Sequence, residues 1–528
     1  MQSEMAGLFH ELFEAAALLD PRKPAIEVDG IAATFGELAR AEVLVSRMLR
    51  RAGVLPGDRV ALSCAISSMA VASAFGVMRE GGILATISHL CEEGQLLDQL
   101  ADCGATVLIT DRHIDTSVLS GHTVVQRLFH LGAGSLSEVW RSVDSQARFR
   151  CSDPVEAAQP AGLDRPGAIF YSSGSTGKPK GILVSHRNMT AAFHAVIGYL
   201  GTTRADRVLS FTAGLSSDYG FYNVTMPILL GATAVVKSVL PAQGERVGNI
   251  LRDEEITALQ VFPPAILRML EAEVLPSLPM LRYISSSGDV LPLRHIERLH
   301  EVYPEVRIFS NYGMTECKRI AYLAPEQLEQ RPGSVGKAIP GVHTFLLDQR
   351  GVVIEGAGQV GELGVAGDLV MQGYWNQPER TAQVLKNNFA DGKRLFLTGD
   401  LFRMDEDGYL YFVGRKEDML FSHCAMLNPR DVERELLCHP AISEAIVVPV
   451  RSSSDRRGFL CACLVLRIGC SASEEELKVH CESRLQRNEV PEQFLFMESL
   501  PRTFGGKASR RDMAEHLRAK GIFGTEQI

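Results

Sequence analysis

Tyr171-Ser-Ser-Gly-Ser-Thr-Gly-Lys-Pro-Lys-Gly181 stands between two apolar runs, Gly167-Ala-Ile-Phe170 and Ile182-Leu-Val184. The runs predict two short strands with a polar loop between them. Within the loop Gly174, Gly177 and Gly181 let the backbone approach a bulky anion. Ser172, Ser173, Ser175, Thr176, Lys178 and Lys180 supply hydroxyl and ammonium donors of the kind a polyphosphate requires. The stretch therefore reads as a phosphate cradle. It is not a Walker loop, because Pro179 follows where a Gly-Lys-Ser/Thr would close the motif onto a helix. A Gly/Ser loop alone also fits an ordinary turn or linker, so the rest of the chain has to decide.

Four more segments follow in order: Asn311-Tyr-Gly-Met-Thr-Glu316, Leu397-Thr-Gly-Asp400, Gly414-Arg-Lys-Glu417 and Gly505-Gly-Lys507. With the loop they resemble the ordered motifs of the adenylate-forming superfamily: acyl-CoA synthetases, adenylation domains of peptide synthetases, and luciferases. The resemblance covers nearly the whole chain. It implies an α/β fold with a large N-terminal AMP-binding domain over residues 1–413, made of two stacked α/β sheet subdomains and a distorted β-barrel. A small, mobile α+β domain over residues 414–528 would carry the catalytic lysine.

Composition agrees with this class and excludes others. A chain of 528 residues exceeds what one hydrophobic core usually serves, and 46% apolar with 22% charged residues is an ordinary globular balance. A net charge of -9 argues against a nucleic-acid partner. The eleven cysteines show no CxxC pairing, which fits a reduced cytoplasmic protein. The N-terminus lacks the basic start and apolar core of a signal peptide, and no run approaches membrane-spanning length, so a soluble protein without a membrane partner is expected.

From Leu8 to Asp111 helical and strand patterns alternate, with helices predicted over 8–19, 34–52 and 70–80 and strands over 25–28, 59–63 and 106–109. Alternation of this kind predicts parallel sheets covered on both faces. Residues 144–165 read as a Pro/Ala-rich linker delivering the loop. Beyond it a helix over 186–200 and a strand over 207–211 are expected, with Ile442–Val448 and Phe459–Val465 as strands near the C-terminus.

The resemblance also assigns roles. Lys507, Thr315 and Glu316 would be catalytic, with Thr315 reaching the α-phosphate and Glu316 holding Mg²⁺, a hard cation that takes carboxylate and phosphate oxygens together. The loop residues Ser172 to Lys178 and Lys180, with Gly288, Asn311, Tyr312, Asp400 and Arg415, would bind ATP and AMP, Tyr312 stacking on adenine and Asp400 accepting both ribose hydroxyls. Glu417 would be the hinge. Asp218 has two readings, a helix N-cap or a pocket carboxylate. Asp218, Pro227 and Gly231 fall at spacings resembling amino-acid-activating members, whose pocket aspartate pairs with the substrate ammonium. By that alignment Tyr219, Tyr222, Val261, Ser285, Ser287 and Gly313 line the pocket.

Cys317-Lys318-Arg319 departs from the small or apolar residues usual at the pocket floor. Two cations there require an anion, either a second carboxylate on the substrate or carboxylates of the protein. With Asp218, the pair resembles stand-alone β-amino-acid:carrier-protein ligases of macrolactam polyketide pathways, the 3-methylaspartate-activating type in particular. Ser422-His423-Cys424 replaces the Ser-Gly-Gly of many acyl-CoA synthetases, which disfavours CoA and points to a separate phosphopantetheinyl acyl carrier protein. The basic cluster Lys507, Arg510, Arg511, Arg518 and Lys520 is either its dock or a solvated helix face. The expected activity is ATP-dependent formation of an aminoacyl-AMP and its transfer to that carrier. An acyl-CoA synthetase, a peptide-synthetase-type α-amino-acid enzyme and a nucleotide-binding regulator remain as alternatives.

Overall fold

The computed structural model describes residues 7–132, 135–141, 162–173, 179–272, 274–288, 291–389, 393–422, 425–452, 455–467, 469–487, 489–501 and 510–520. Gly174 to Lys178 of the loop, His423, Cys424, Lys507 and most of the expected linker lie outside these residues. The chain divides into two compact units. The first holds residues 1–345, 364–398 and 404–411, the second 346–363, 399–403 and 412–528. The second unit thus takes in two segments that precede the expected boundary at residue 414.

In chain order the first unit contains β1 (Pro24–Val28), β2 (Ile31–Thr34), β3 (Arg59–Ser63), β4 (Ile83–Thr86), β5 (Val107–Thr110), β6 (Arg127–Gly132) and β7 (Ser135–Arg141). These are followed by β8 (Pro166–Ser173), β9 (Pro179–Ser185), β10 (Arg207–Phe211), β11 (Thr233–Lys237) and β12 (Ala258–Val261). Then come β13 (Tyr283–Ser287), β14 (Arg307–Tyr312), β15 (Ala321–Leu323), β16 (Ser334–Ala338) and β17 (Gly373–Tyr374).

Two sheets result. One runs β16-β15-β14-β13-β12-β10-β11-β1-β2, parallel from β14 through β1. The other runs β17-β9-β8-β4-β3-β5-β6-β7, parallel from β8 through β6. The central strands β3, β4, β5 and β12 are buried almost throughout, as sheets covered on both faces require. Aromatic packing joins the sheets: Phe170 of β8 meets Phe221, on the helix after β10, at 5.2 Å between ring centroids. Phe221 in turn stacks on Phe9 of the first helix at 5.8 Å. The expected 186–200 helix is present as His186–Leu200, ended by Gly201 in the left-handed conformation.

In the second unit β18 (Ile442–Ser452) pairs antiparallel with β19 (Asp455–Leu466), which pairs parallel with β20 (Gln493–Met497). Period-two alternation splits its core. Leu460, Ala462 and Leu464 face a cluster with Val432, Leu436 and Leu477, whereas Cys461 and Cys463 face one with Met513 and Leu517. Among the described residues no helix is long and apolar enough to cross a membrane.

Candidate active site

The glycine of the Asn311-to-Glu316 segment sets the site's geometry. β14 ends at Tyr312, and the chain folds back so tightly that a Cβ on Gly313 would stand 2.3 Å from the Lys318 carbonyl oxygen and 2.8 Å from the Arg319 Cα. Lys318 itself adopts a left-handed φ of 55°. Its neighbours Glu316, Cys317 and Arg319 are buried with it. The turn is anchored below by Asn311, whose amide donates to the Ser286 carbonyl at 2.7 Å and the Ser285 hydroxyl at 3.1 Å on β13.

Glu316 is 4% exposed, a burial that a carboxylate tolerates only with donors. Lys180, at the start of β9, places Nζ 2.7 Å from Glu316 Oε1, and the Tyr374 hydroxyl donates to the same oxygen at 3.0 Å. Beside the loop, Ser172 Oγ is buried and meets no partner among the described residues. Tyr171, in the loop's first strand, donates to Asp102 at 2.7 Å and thereby ties β8 to the helix Glu93–Cys103.

The helix Asp218–Leu230 is capped by Ser217, whose hydroxyl accepts from the Gly220 N–H at 3.0 Å. Asp218 is therefore not the N-cap. Its carboxylate accepts from the Thr315 hydroxyl at 3.0 Å and lies 3.8 Å from Lys318 Nζ. The structure thus spends on Asp218 one of the two cations offered to the substrate. Lys318 Nζ also stands 4.8 Å over the Tyr222 ring and 5.7 Å over that of Tyr219. Burial, opposed by Asp218 and reinforced by Arg319, pulls its ammonium down from 10.5 to about 7.

Arg319 is 2% exposed and has no such partner. Nη1 donates to the Tyr199 hydroxyl at 2.7 Å and to Ser285 at 3.2 Å, both neutral groups. Nη2 has no acceptor, and no carboxylate among the described residues pairs with the guanidinium. Tyr199 passes the chain of bonds on, donating to Asn311 Oδ1 at 2.6 Å while its ring stacks on Tyr322 at 4.2 Å. Tyr199 and Tyr374 escaped the sequence reading. Tyr374 lies in a two-residue strand outside the quoted motifs, and Tyr199 lies in a helix where a tyrosine reads as core.

Tyr219 stacks on Phe262 at 4.0 Å, and Gly288, with φ 89°, lies so close that a Cβ would meet the same ring at 2.5 Å. Ser285 and Ser287 are buried at the end of β13, and Tyr312 is half-buried. Val261, at the end of β12, packs in the apolar cluster of Leu209, Leu259 and Ile266. In the second unit Arg415 Nε lies 3.6 Å from Asp400, which is 6% exposed, and Glu417 is exposed on a short turn. Arg510 is engaged internally, donating to Glu433 at 2.6 Å and the Val447 carbonyl at 2.8 Å, so it is not a free member of a docking cluster.

This arrangement belongs to a recognised group. The AMP-binding enzyme family matches residues 13–375 and the AMP-binding enzyme C-terminal domain matches residues 431–507, and the chain is a member of that family. Novobiocin biosynthesis protein H of Streptomyces niveus is 28% identical over 519 residues, 96% of this chain and 82% of that protein. 2-Succinylbenzoate–CoA ligase of Bacillus cereus is 28% identical over 508 residues, 94% and 96% of the two chains. Tyrocidine synthase 3 of Brevibacillus parabrevis is also 28% identical, but the chain spans 8% of its length. Among solved structures, O-succinylbenzoate coenzyme A synthetase of Bacillus subtilis with ATP and a magnesium ion superposes with a TM-score of 0.80 at 26% identity, covering 95% and 99% of the two chains.

Proposed function

We propose that the chain is an ATP-dependent, AMP-forming acid–thiol ligase. Its substrate is an amino acid bearing a second carboxylate, with a β-amino acid such as 3-methylaspartate as the preferred case, and its acceptor is the pantetheine thiol of a separate acyl carrier protein. Family membership and the magnesium–ATP complex of a relative support the adenylation chemistry. The observation that carries the substrate class is Arg319, a buried guanidinium with an unmet donor and no carboxylate of the described protein beside it. Such a charge is stable only with an anion, and a bidentate carboxylate suits its planar fork.

In this reading the substrate's second carboxylate meets Arg319 and its ammonium meets Asp218. The reacting carboxylate attacks the α-phosphorus in line and pyrophosphate leaves. Thr315 and Lys507 stabilise charge at the α-phosphate, the loop with Lys180 cradles the leaving group, and Asp400 with Arg415 takes the ribose. Catalysis is then mainly positioning and electrostatics. Glu316 fits a magnesium ion, because Oε2 carries no protein donor among the described residues and one carboxylate with phosphate oxygens is the usual magnesium environment. When bound, the ion would neutralise the polyphosphate. The smaller domain, hinged at Glu417, would then turn to admit the thiol.

A second reading has one observation in its favour. Asp218 is already met by Thr315 and Lys318, which suits a dicarboxylic acid without an amino group, thioesterified to CoA. ATP–pyrophosphate exchange over α-amino, β-amino, amino-dicarboxylic, dicarboxylic and plain fatty acids separates the two, with Asp218→Ala alongside. Exchange confined to amino dicarboxylates and lost in the variant supports the proposal. Exchange with unaminated dicarboxylates that survives Asp218→Ala overturns it in favour of the second reading.

A further inference from the structure

Two donors converge on a single oxygen of Glu316 and leave the other untouched. Lys180 Nζ and the Tyr374 hydroxyl reach Oε1 at 2.7 and 3.0 Å, while no described donor meets Oε2. The two donors are also linked to each other, Lys180 Nζ donating to the Tyr374 hydroxyl at 3.2 Å and standing 4.8 Å over its ring. Tyr374 is held more firmly than its two-residue strand suggests. β17 pairs with Ile182 and Leu183 of β9, the strand that carries Lys180, and the Tyr374 N–H donates to the Thr381 hydroxyl at 2.9 Å. Tyr374 is 7% exposed.

A carboxylate this buried needs a positive charge beside it, and in the unliganded chain Lys180 is that charge. If a cation binds at Oε2 with a polyphosphate, Lys180 is repelled by it and attracted to the phosphates, and the neutral phenol is the donor left on Oε1. We propose that Tyr374 is the positioning residue that keeps Glu316 aimed at the metal once Lys180 has transferred to the nucleotide, with Lys180 acting beforehand as an internal stand-in for the metal's charge. The inference rests on the reading of Glu316 as the magnesium carboxylate.

The test uses the full chain with a non-hydrolysable ATP analogue and Mn²⁺ as a spectroscopically visible substitute, its free concentration followed by electron paramagnetic resonance. Outer-shell partners of metal ligands typically carry about 10–100-fold in affinity, so Tyr374→Phe is expected to weaken Mn²⁺ binding by about tenfold or more. Metal-free AMP binding and the melting temperature should match those of the unsubstituted chain. Glu316→Gln should weaken Mn²⁺ at least as much. Unchanged Mn²⁺ affinity in Tyr374→Phe with weakened affinity in Glu316→Gln overturns the role of Tyr374 alone. Unchanged affinity in Glu316→Gln overturns the Glu316 reading and this inference with it. Loss of metal-free AMP binding in parallel with Mn²⁺ in Tyr374→Phe makes the hydroxyl merely structural and also overturns the inference.

Discussion

Replacing Arg319 by methionine separates a guanidinium that binds substrate from one that holds the fold. Arg319 is 2% exposed, donates from Nη1 to two neutral hydroxyls, and leaves Nη2 without an acceptor. Its charge is therefore uncompensated by any described carboxylate until an anion arrives. Breaking a buried ion pair by removing one partner costs about 3–5 kcal/mol. At about 1.4 kcal/mol per factor of ten, Arg319→Met should lower kcat/KM for an amino-dicarboxylic substrate by about 10²–10⁴-fold. Stability should move the other way. Methionine fills similar length without a buried cation, so the melting temperature is expected to hold or rise, offset only by two hydrogen bonds to hydroxyls worth about 1 kcal/mol each. Pyrophosphate exchange at subsaturating acid gives the first quantity and scanning calorimetry the second. An isosteric amino acid lacking the second carboxylate should gain on the dicarboxylate in the variant. Arg319→Met that keeps kcat/KM for the dicarboxylate within about threefold, or that melts lower with its selectivity unaltered, refutes the reasoning.

Two further outcomes follow from buried titratable groups. Lys318 titrates near 7 and is faced by Asp218, Arg319, Thr315 and the rings of Tyr219 and Tyr222. An ammonium substrate sharing Asp218 is accepted best when Lys318 is neutral. kcat/KM should therefore rise with pH through about 7 and level off above it, and a pH profile of Lys318→Met should lack that limb. Glu42 is 1% exposed against Arg79, and burial with the neighbouring Glu14 pushes its carboxyl from 4.5 to about 8. The folded chain thus keeps a proton that the unfolded chain releases between about 4.5 and 8, so stability falls as pH rises through that window. Calorimetry from pH 5 to pH 8.5 should show that fall flattened in Glu42→Gln.

The strand–loop–strand around Tyr171–Gly181 was legible because its signals are local: apolar runs read as β8 and β9, and their antiparallel register places Phe170 opposite Ile182. The parallel sheets were legible from alternation, and the strands Arg59–Ser63 and Arg207–Phe211 begin and end as the pattern has them. Asp218 was ambiguous because N-cap and pocket carboxylate share one sequence signature; the hydroxyl of Ser217, one residue earlier, takes the cap. The role of Val261 was not legible, because a strand's period of two tells which residues share a face, not which face meets a pocket.

By itself, then, the sequence determined the class of fold, the order of its motifs and the chemistry they can perform, since each rests on residues close together in the chain. It left open whether Lys318 and Arg319 serve the protein or a ligand. The turn at Gly313 sends these two adjacent side chains to different partners: Lys318 reaches Asp218, 100 residues away in the chain, while Arg319 reaches Tyr199, 120 residues away. The convergence of Lys180 and Tyr374 on Glu316 was likewise invisible, because it joins positions 136 and 58 residues from that carboxylate. The physical reason is that a buried charge is defined by what surrounds it, and only the packed chain brings those surroundings together.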